Sequence, residues 1–199
     1  MSKVLVIGCG FVGEQVLRAC RDAGHDARFL DADHRRIAGL QDAGFLLRDR
    51  EIDDVRIICL PSETQEQRSA IRQWCILHHA CGYENPSLLC IESTVPPGYC
   101  AEVHHFISTE WWANHVVYAP ERLWPGHPEW TVKNTPRVVG GVTPEATEAG
   151  VAFYRTISDH VFPVANSTIA EMCKLYENAY RAVNIAFVHE IEALCEAQS

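Results

Sequence analysis

The sequence predicts an α/β fold, a doubly wound and mostly parallel sheet followed by one long C-terminal helix. Three observations predict it. Short apolar runs alternate with amphipathic helix-like segments through residue 165, the pattern of a parallel sheet covered on both faces. A glycine-rich turn, Gly8-Cys-Gly-Phe-Val-Gly13, joins the first apolar run to the first helical one. From Thr168 to about Ala197 nothing breaks a single helical segment.

Taken in order, Lys3–Ile7 reads as a short buried strand and Phe11–Ala23 as a helix with Val12, Val16, Ala19 and Ala23 along one stripe. Gly24 supplies its C-terminal cap. Ala27–Asp31 is a second strand, and Asp33–Ala43 a second helix ending at Gly44. Val55–Leu60 is a third strand, stopped by Pro61, and Glu63–His79 is helical. Ser87–Ile91 is another apolar strand, after which Pro96-Pro97 opens a helix whose N-terminus can face a ligand. Val116–Tyr118 and Arg137–Val139 are strand-like, Pro144–Ile157 a helix and His160–Val164 a last short strand. Thr168-Ile-Ala-Glu171 has the form of a capping box. The roughly 30 residues that follow make a rod of about 45 Å. Its apolar residues, among them Leu175, Tyr180, Val183, Phe187 and Ile191, occupy more than one stripe, so something outside this chain should cover it.

Composition bounds the function. The 199 residues are 47% hydrophobic and 22% charged, which suits a folded domain rather than a disordered chain. A formal net charge of −9 argues against nucleic acid or an anionic membrane as partner. Met1-Ser-Lys3 runs straight into the first strand, and no apolar run approaches the ~18 residues of a membrane span. A cytoplasmic location is expected. Nine cysteines without a C-x-x-C pair fit reduced, packed thiols better than disulfides. The His78–His79 and His104–His105 pairs lack zinc-site spacing, so no metal is expected.

The glycine turn carries the first functional reading. G-x-G-x-x-G between a strand and a helix is the Rossmann-type dinucleotide fingerprint. Gly8 makes the tight turn, Gly10 admits a pyrophosphate to the backbone, and Gly13 lets helix and strand pack closely. Phe11 and Val12 complete the loop, and the helix N-terminus offers N–H donors to phosphate. Asp31 closes the second strand, where a carboxylate accepts ribose hydroxyls and repels a 2′-phosphate, favouring NAD over NADP. Asp33 lies close by, and Arg35 or Arg36 could instead hold a 2′-phosphate, so both nucleotides stay open.

Further motifs occur in a fixed order: Val4–Gly13, Ile57–Pro61, Glu92-Ser-Thr-Val-Pro-Pro-Gly98, Tyr118-Ala-Pro-Glu-Arg122 with Pro125-Gly126, Pro136–Gly141, and Ala170-Glu-Met-Cys-Lys-Leu175 through Asn178 to Glu190. Together they resemble the UDP-glucose/GDP-mannose dehydrogenase family, and within it the UDP-N-acetylmannosamine or N-acetylglucosamine 6-dehydrogenases. The resemblance implies two NAD-dependent oxidations of a nucleotide sugar at C6, from alcohol to uronic acid. It implies that Pro61, Ser93 and Thr94 join the cofactor-binding set. Thr94 would hold a water, Glu121 would serve in acid–base chemistry, and Lys174 and Asn178 would stabilise the oxyanion at the sugar carbon. Residues 1–165 would be the dinucleotide-binding domain, and 166–199 the start of a central region that forms a homodimer.

The resemblance also has gaps. The family's nucleophilic cysteine sits in a G-x-G-G-x-C-x-x-K-D motif that these 199 residues do not contain. Cys195 has no helix N-terminus or basic neighbour to activate it. The stretch from Leu40 to Arg56 is short and lacks the family's E-P-G-L signature, and His189 stands where asparagine is usual. The chain is therefore expected to be the NAD-binding half of such an enzyme, with a missing C-terminal domain or partner chain. The alternatives are a stand-alone NAD-binding module or split subunit without catalysis of its own, and an oxidoreductase of the wider β-hydroxyacid dehydrogenase group.

Overall fold

The computed structural model describes residues 1–47, 53–80, 87–108 and 115–198. Residue Cys81, residues 48–52 of the Leu40–Arg56 stretch, and the side chains of 74–80, among them Cys75 and the His78–His79 pair, lie outside that description. The described strands are β1 (Lys3–Ile7), β2 (Asp26–Leu30), β3 (Leu46–Leu47), β4 (Val55–Ile58), β5 (Leu88–Ile91), β6 (His115–Tyr118), β7 (Arg137–Gly141) and β8 (Val161–Pro163). The helices are α1 (Phe11–Asp22), α2 (His34–Asp42), α3 (Gln65–Ala80), α4 (Tyr99–Ser108), α5 (Pro144–Tyr154) and α6 (Ser167–Glu196).

One sheet runs β3-β2-β1-β4-β5-β6-β7-β8. The chain winds outward from β1 in both directions, so the β1/β4 boundary is the switch point where such sheets open a crevice at their carboxyl ends. Alternate strand residues face opposite layers. Val4, Val6, Phe29 and Ile57 pack with Val16, Leu17 and Tyr154 on one side. Leu5, Ile7, Ile58 and Ile91 pack with Ile71, Val103 and Ala170 on the other. Two covered faces explain why the strands are apolar throughout rather than alternating.

Several expectations need correction. The two-residue strand β3 carries too little pattern to be read from sequence. Strand β7 runs antiparallel to β6, pairing Val117 with Gly141. A parallel return needs a crossover element, and residues 119–136, with Pro120, Pro125, Pro128 and Pro136, form turns instead. Helix α4 starts at Tyr99 rather than at the prolines. The helix α6 is capped by Asn166, whose side chain accepts the Ile169 N–H, so Thr168 and Glu171 make no capping box.

Glu171 is engaged elsewhere. Its carboxylate, with no exposed surface, accepts the N–H groups of Gly98 at 2.6 Å and Cys100 at 2.8 Å. It thereby caps α4 from a different helix, and the N-terminus expected to face a ligand is satisfied internally. Burial pushes the Glu171 carboxyl above its ordinary range, and the two N–H donors pull it back. Replacing Glu171 by Leu leaves two buried donors unpaired and should cost about 2–4 kcal/mol in urea unfolding. Glu171→Gln, which keeps one acceptor, should cost measurably less.

Candidate active site

At the β1–α1 turn, Gly8 has φ of +82° and donates its N–H to the Leu30 carbonyl at 2.9 Å. A Cβ on Gly13 would sit 1.9 Å from the Gly8 carbonyl oxygen, a backbone atom that cannot step aside. Helix α1 is thus pressed against the turn by the absence of a side chain. At Gly10 the nearest atom to such a Cβ is the Arg36 guanidinium, 3.7 Å away. The outer face of the turn is therefore open, and the first N–H groups of α1 give onto it.

That face belongs to a cleft of about 1010 Å³ at the carboxyl ends of β1, β2, β4 and β5. Gly8, Gly10, Phe11, Val12, Asp31, Pro61, Ser93, Thr94, Glu121 and Asn178 all line it. Ten of the predicted site residues, from six separate segments of the chain, are thus brought together. Gly13 lies beneath the turn, and Lys174 stands behind Glu121 rather than on the cleft wall.

Asp31 is held in place before any ligand arrives. Its Oδ2 accepts the Cys9 N–H at 2.6 Å and its Oδ1 the Asp33 N–H at 2.8 Å. Each oxygen retains a lone pair for a further donor. The buried Cys9 thiol below is pushed up to about 12 by burial and by the Asp31 charge, so it is a packing residue, not a nucleophile. On the opposite wall, hydroxyls tie two strand ends together. Ser93 donates to the Leu60 carbonyl at 2.7 Å, and Ser62 to that of Thr94 at 2.6 Å.

Helix α6 delivers the remaining groups. Lys174 donates to the Glu121 carbonyl at 2.6 Å and to its Oε1 at 3.2 Å, while the Leu123 N–H bonds Glu121 Oε2 at 2.6 Å. One helical turn on, Glu177 takes two hydrogen bonds from Arg122. The loop after β6 is thus pinned to α6 by two crossed ion pairs, and Asn178 follows on the cleft side.

Two family models match the sequence. Residues 48–158 match the model described as "UDP-glucose/GDP-mannose dehydrogenase family, NAD binding domain". The chain belongs to that family. Residues 168–199 match the model of the family's central domain. A UDP-N-acetyl-D-mannosamine dehydrogenase of Methanocaldococcus jannaschii is 27% identical over 222 residues, covering 98% of this chain and 52% of the relative. One of Yersinia pestis is 40% identical over 84 residues, 42% of this chain and 20% of the relative. The solved UDP-N-acetyl-mannosamine dehydrogenase of Staphylococcus aureus superposes with a TM-score of 0.82 at 26% identity, over 98% of this chain and 55% of that one. The chain spans about half the length of the relatives it matches over its whole extent.

A buried network escaped the sequence reading. Arg137, 3% exposed at the start of β7, bonds Glu92 Oε1 at 2.7 Å and the Ala119 carbonyl at 2.7 Å. The Tyr154 hydroxyl donates to the same Oε1 at 2.9 Å, and the guanidinium lies over the Tyr154 ring at 4.8 Å. Burial raises the Glu92 carboxyl and Arg137 opposes the rise. The available signal was a lone charge at each of two all-apolar strand ends, which only a partner makes tolerable. Arg137→Met should destabilise the fold by about 3–5 kcal/mol, because it strands a buried carboxylate. With its cation gone, Glu92 retains its proton in the folded state to higher pH than in the unfolded chain. Stability of this variant should then fall as pH rises from about 5 to 8, read by thermal melts. Glu92→Gln added to it should flatten that slope.

Proposed function

We propose that this chain is the cofactor-holding part of an NAD-dependent nucleotide-sugar 6-dehydrogenase acting on a UDP-hexose or UDP-N-acetylhexosamine. The observation that carries the reading is the single cleft in which the glycine turn, Asp31, the Glu92-Ser93-Thr94 strand end, Glu121 and Asn178 converge, with Lys174 paired to Glu121 from behind. NAD bound there supplies the hydride acceptor.

The residues fit it. The N–H groups at the mouth of α1 face the place where a diphosphate would lie, and no side chain fills the space over Gly10. Asp31 keeps acceptor capacity for ribose hydroxyls. Pro61, Ser93 and Thr94 floor the half of the cleft over β4 and β5, where the nicotinamide end follows from the direction of the diphosphate. Glu121 and Lys174 share an ion pair beside that floor, so a proton and a positive charge are available at the reacting sugar carbon. Asn178 adds an amide donor for the developing oxyanion. The family's covalent cysteine chemistry is assigned by resemblance to a motif outside these 199 residues.

The described part of α6 also supports a homodimer. From Ala179 onward every described residue is exposed, Val183, Phe187 and Leu194 among them at 60% or more. Among the described residues no helix is long and apolar enough to cross a membrane. An uncovered apolar rod is costly in water, so the distal half of α6 meets a second copy or the rest of the central domain.

Two measurements test this reading. Calorimetric titration should show NAD binding, and Asp31→Ala should weaken it at least about tenfold. Unchanged affinity would refute the site. Sedimentation should show self-association at high micromolar concentration, and Val183→Glu with Phe187→Glu should return the chain to monomer. A wild-type monomer under those conditions would remove the dimer from the reading.

A further inference from the structure

Beside Asp31, the mouth of the cleft holds a three-charge cluster that the sequence left ambiguous. Arg36 lies on α2 with its Nη1 3.9 Å from Asp31 Oδ2 and its Nε 3.8 Å from Asp33 Oδ2. It is the nearest group to the open side of Gly10 and, at 52% side-chain exposure, can move. A guanidinium in that place is a ready partner for a 2′-phosphate, which it would grip through two donors. Two carboxylates already hold it. Asp31 does so beside the turn, and Asp33 from the start of α2: its Oδ1 caps α2 by accepting the Arg35 N–H at 2.9 Å, and its Oδ2 faces Arg36.

Resting on the NAD reading, we infer that Asp33 is a specificity-determining residue, which keeps NADP out by occupying Arg36. The local balance is two negative charges against one positive. A 2′-phosphate brings about two more negative charges at neutral pH and finds the guanidinium nearest Gly10 already shared. With Asp33 neutral, the count becomes one against one and the guanidinium turns free to pair.

Asn is the discriminating replacement, because its amide oxygen caps a helix as well as Asp does and α2 should stay intact. Both nucleotides are titrated into the purified chain by calorimetry at low salt, and the ratio of their affinities is read. Asp33→Asn should raise the NADP-to-NAD affinity ratio about tenfold, and salt should shrink the gain. Adding Arg36→Gln should abolish it. An unchanged ratio in Asp33→Asn overturns the inference, and so does a gain that survives Arg36→Gln, since the field of Asp33 would then act without Arg36. A wild-type chain that binds neither nucleotide overturns the cofactor reading and this inference together. NAD binding with an unmoved ratio overturns this inference alone.

Discussion

The register of one helix governs the site. Glu171 has no exposed surface, and its carboxylate fastens the first turns of α6 to the backbone that opens α4. Once that contact is made, the 3.6-residue period places every later group. Lys174 comes round to the Glu121 carboxylate, Glu177 to Arg122, and Asn178 to the cleft. Of the buried residues of α6, Ser167, Glu171 and Lys174 are polar and Ala170 is apolar, while larger apolar ones such as Ile169, Met172 and Tyr176 face out. An ordinary amphipathic helix is built the other way round. The near-inversion has a physical cause, since this helix docks chiefly through ions and hydrogen bonds, with Ala170 its small apolar contact.

The cleft behind it is organised by charge pairs at graded depth. The Arg137–Glu92 pair is enclosed, Lys174–Glu121 is nearly so, and Arg36 and Asp33 lie half in water beside the buried Asp31 side chain. The deepest pair fixes the ends of β5 and β7 and is costly to break. The middle pair joins the loop after β6 to α6 at the edge of the cleft. The outermost, screened by solvent, contributes little to stability and is free to decide which nucleotide enters.

Much of this was legible in the sequence, for identifiable reasons. Buried parallel strands announce themselves as apolar runs, and a glycine turn that admits no Cβ at Gly13 leaves a fixed signature. Asp31 was readable because its position follows from the strand before it. What failed depended on distance along the chain. Glu171 fits a capping box by spacing alone, yet Asn166 does the capping, because the carboxylate had a better use 73 residues away. The start of α4 and the reversal of β7 were missed for a related reason. Proline-rich stretches show where a helix cannot be, but not which way the chain returns. The Glu92–Arg137–Tyr154 network joins three segments whose pairing no local pattern records.

Between Ser167 and Glu196 the helix α6 contains neither glycine nor proline, so it has no built-in point of bending. Its inner turns are clamped and its outer turns, about 26 Å of them, project beyond the domain. Mechanically it is a lever with its fulcrum at Glu171. A torque applied to the free arm arrives at Lys174 and Asn178 without a joint to absorb it, so the shape of the cleft wall is tied to the posture of a surface far from it.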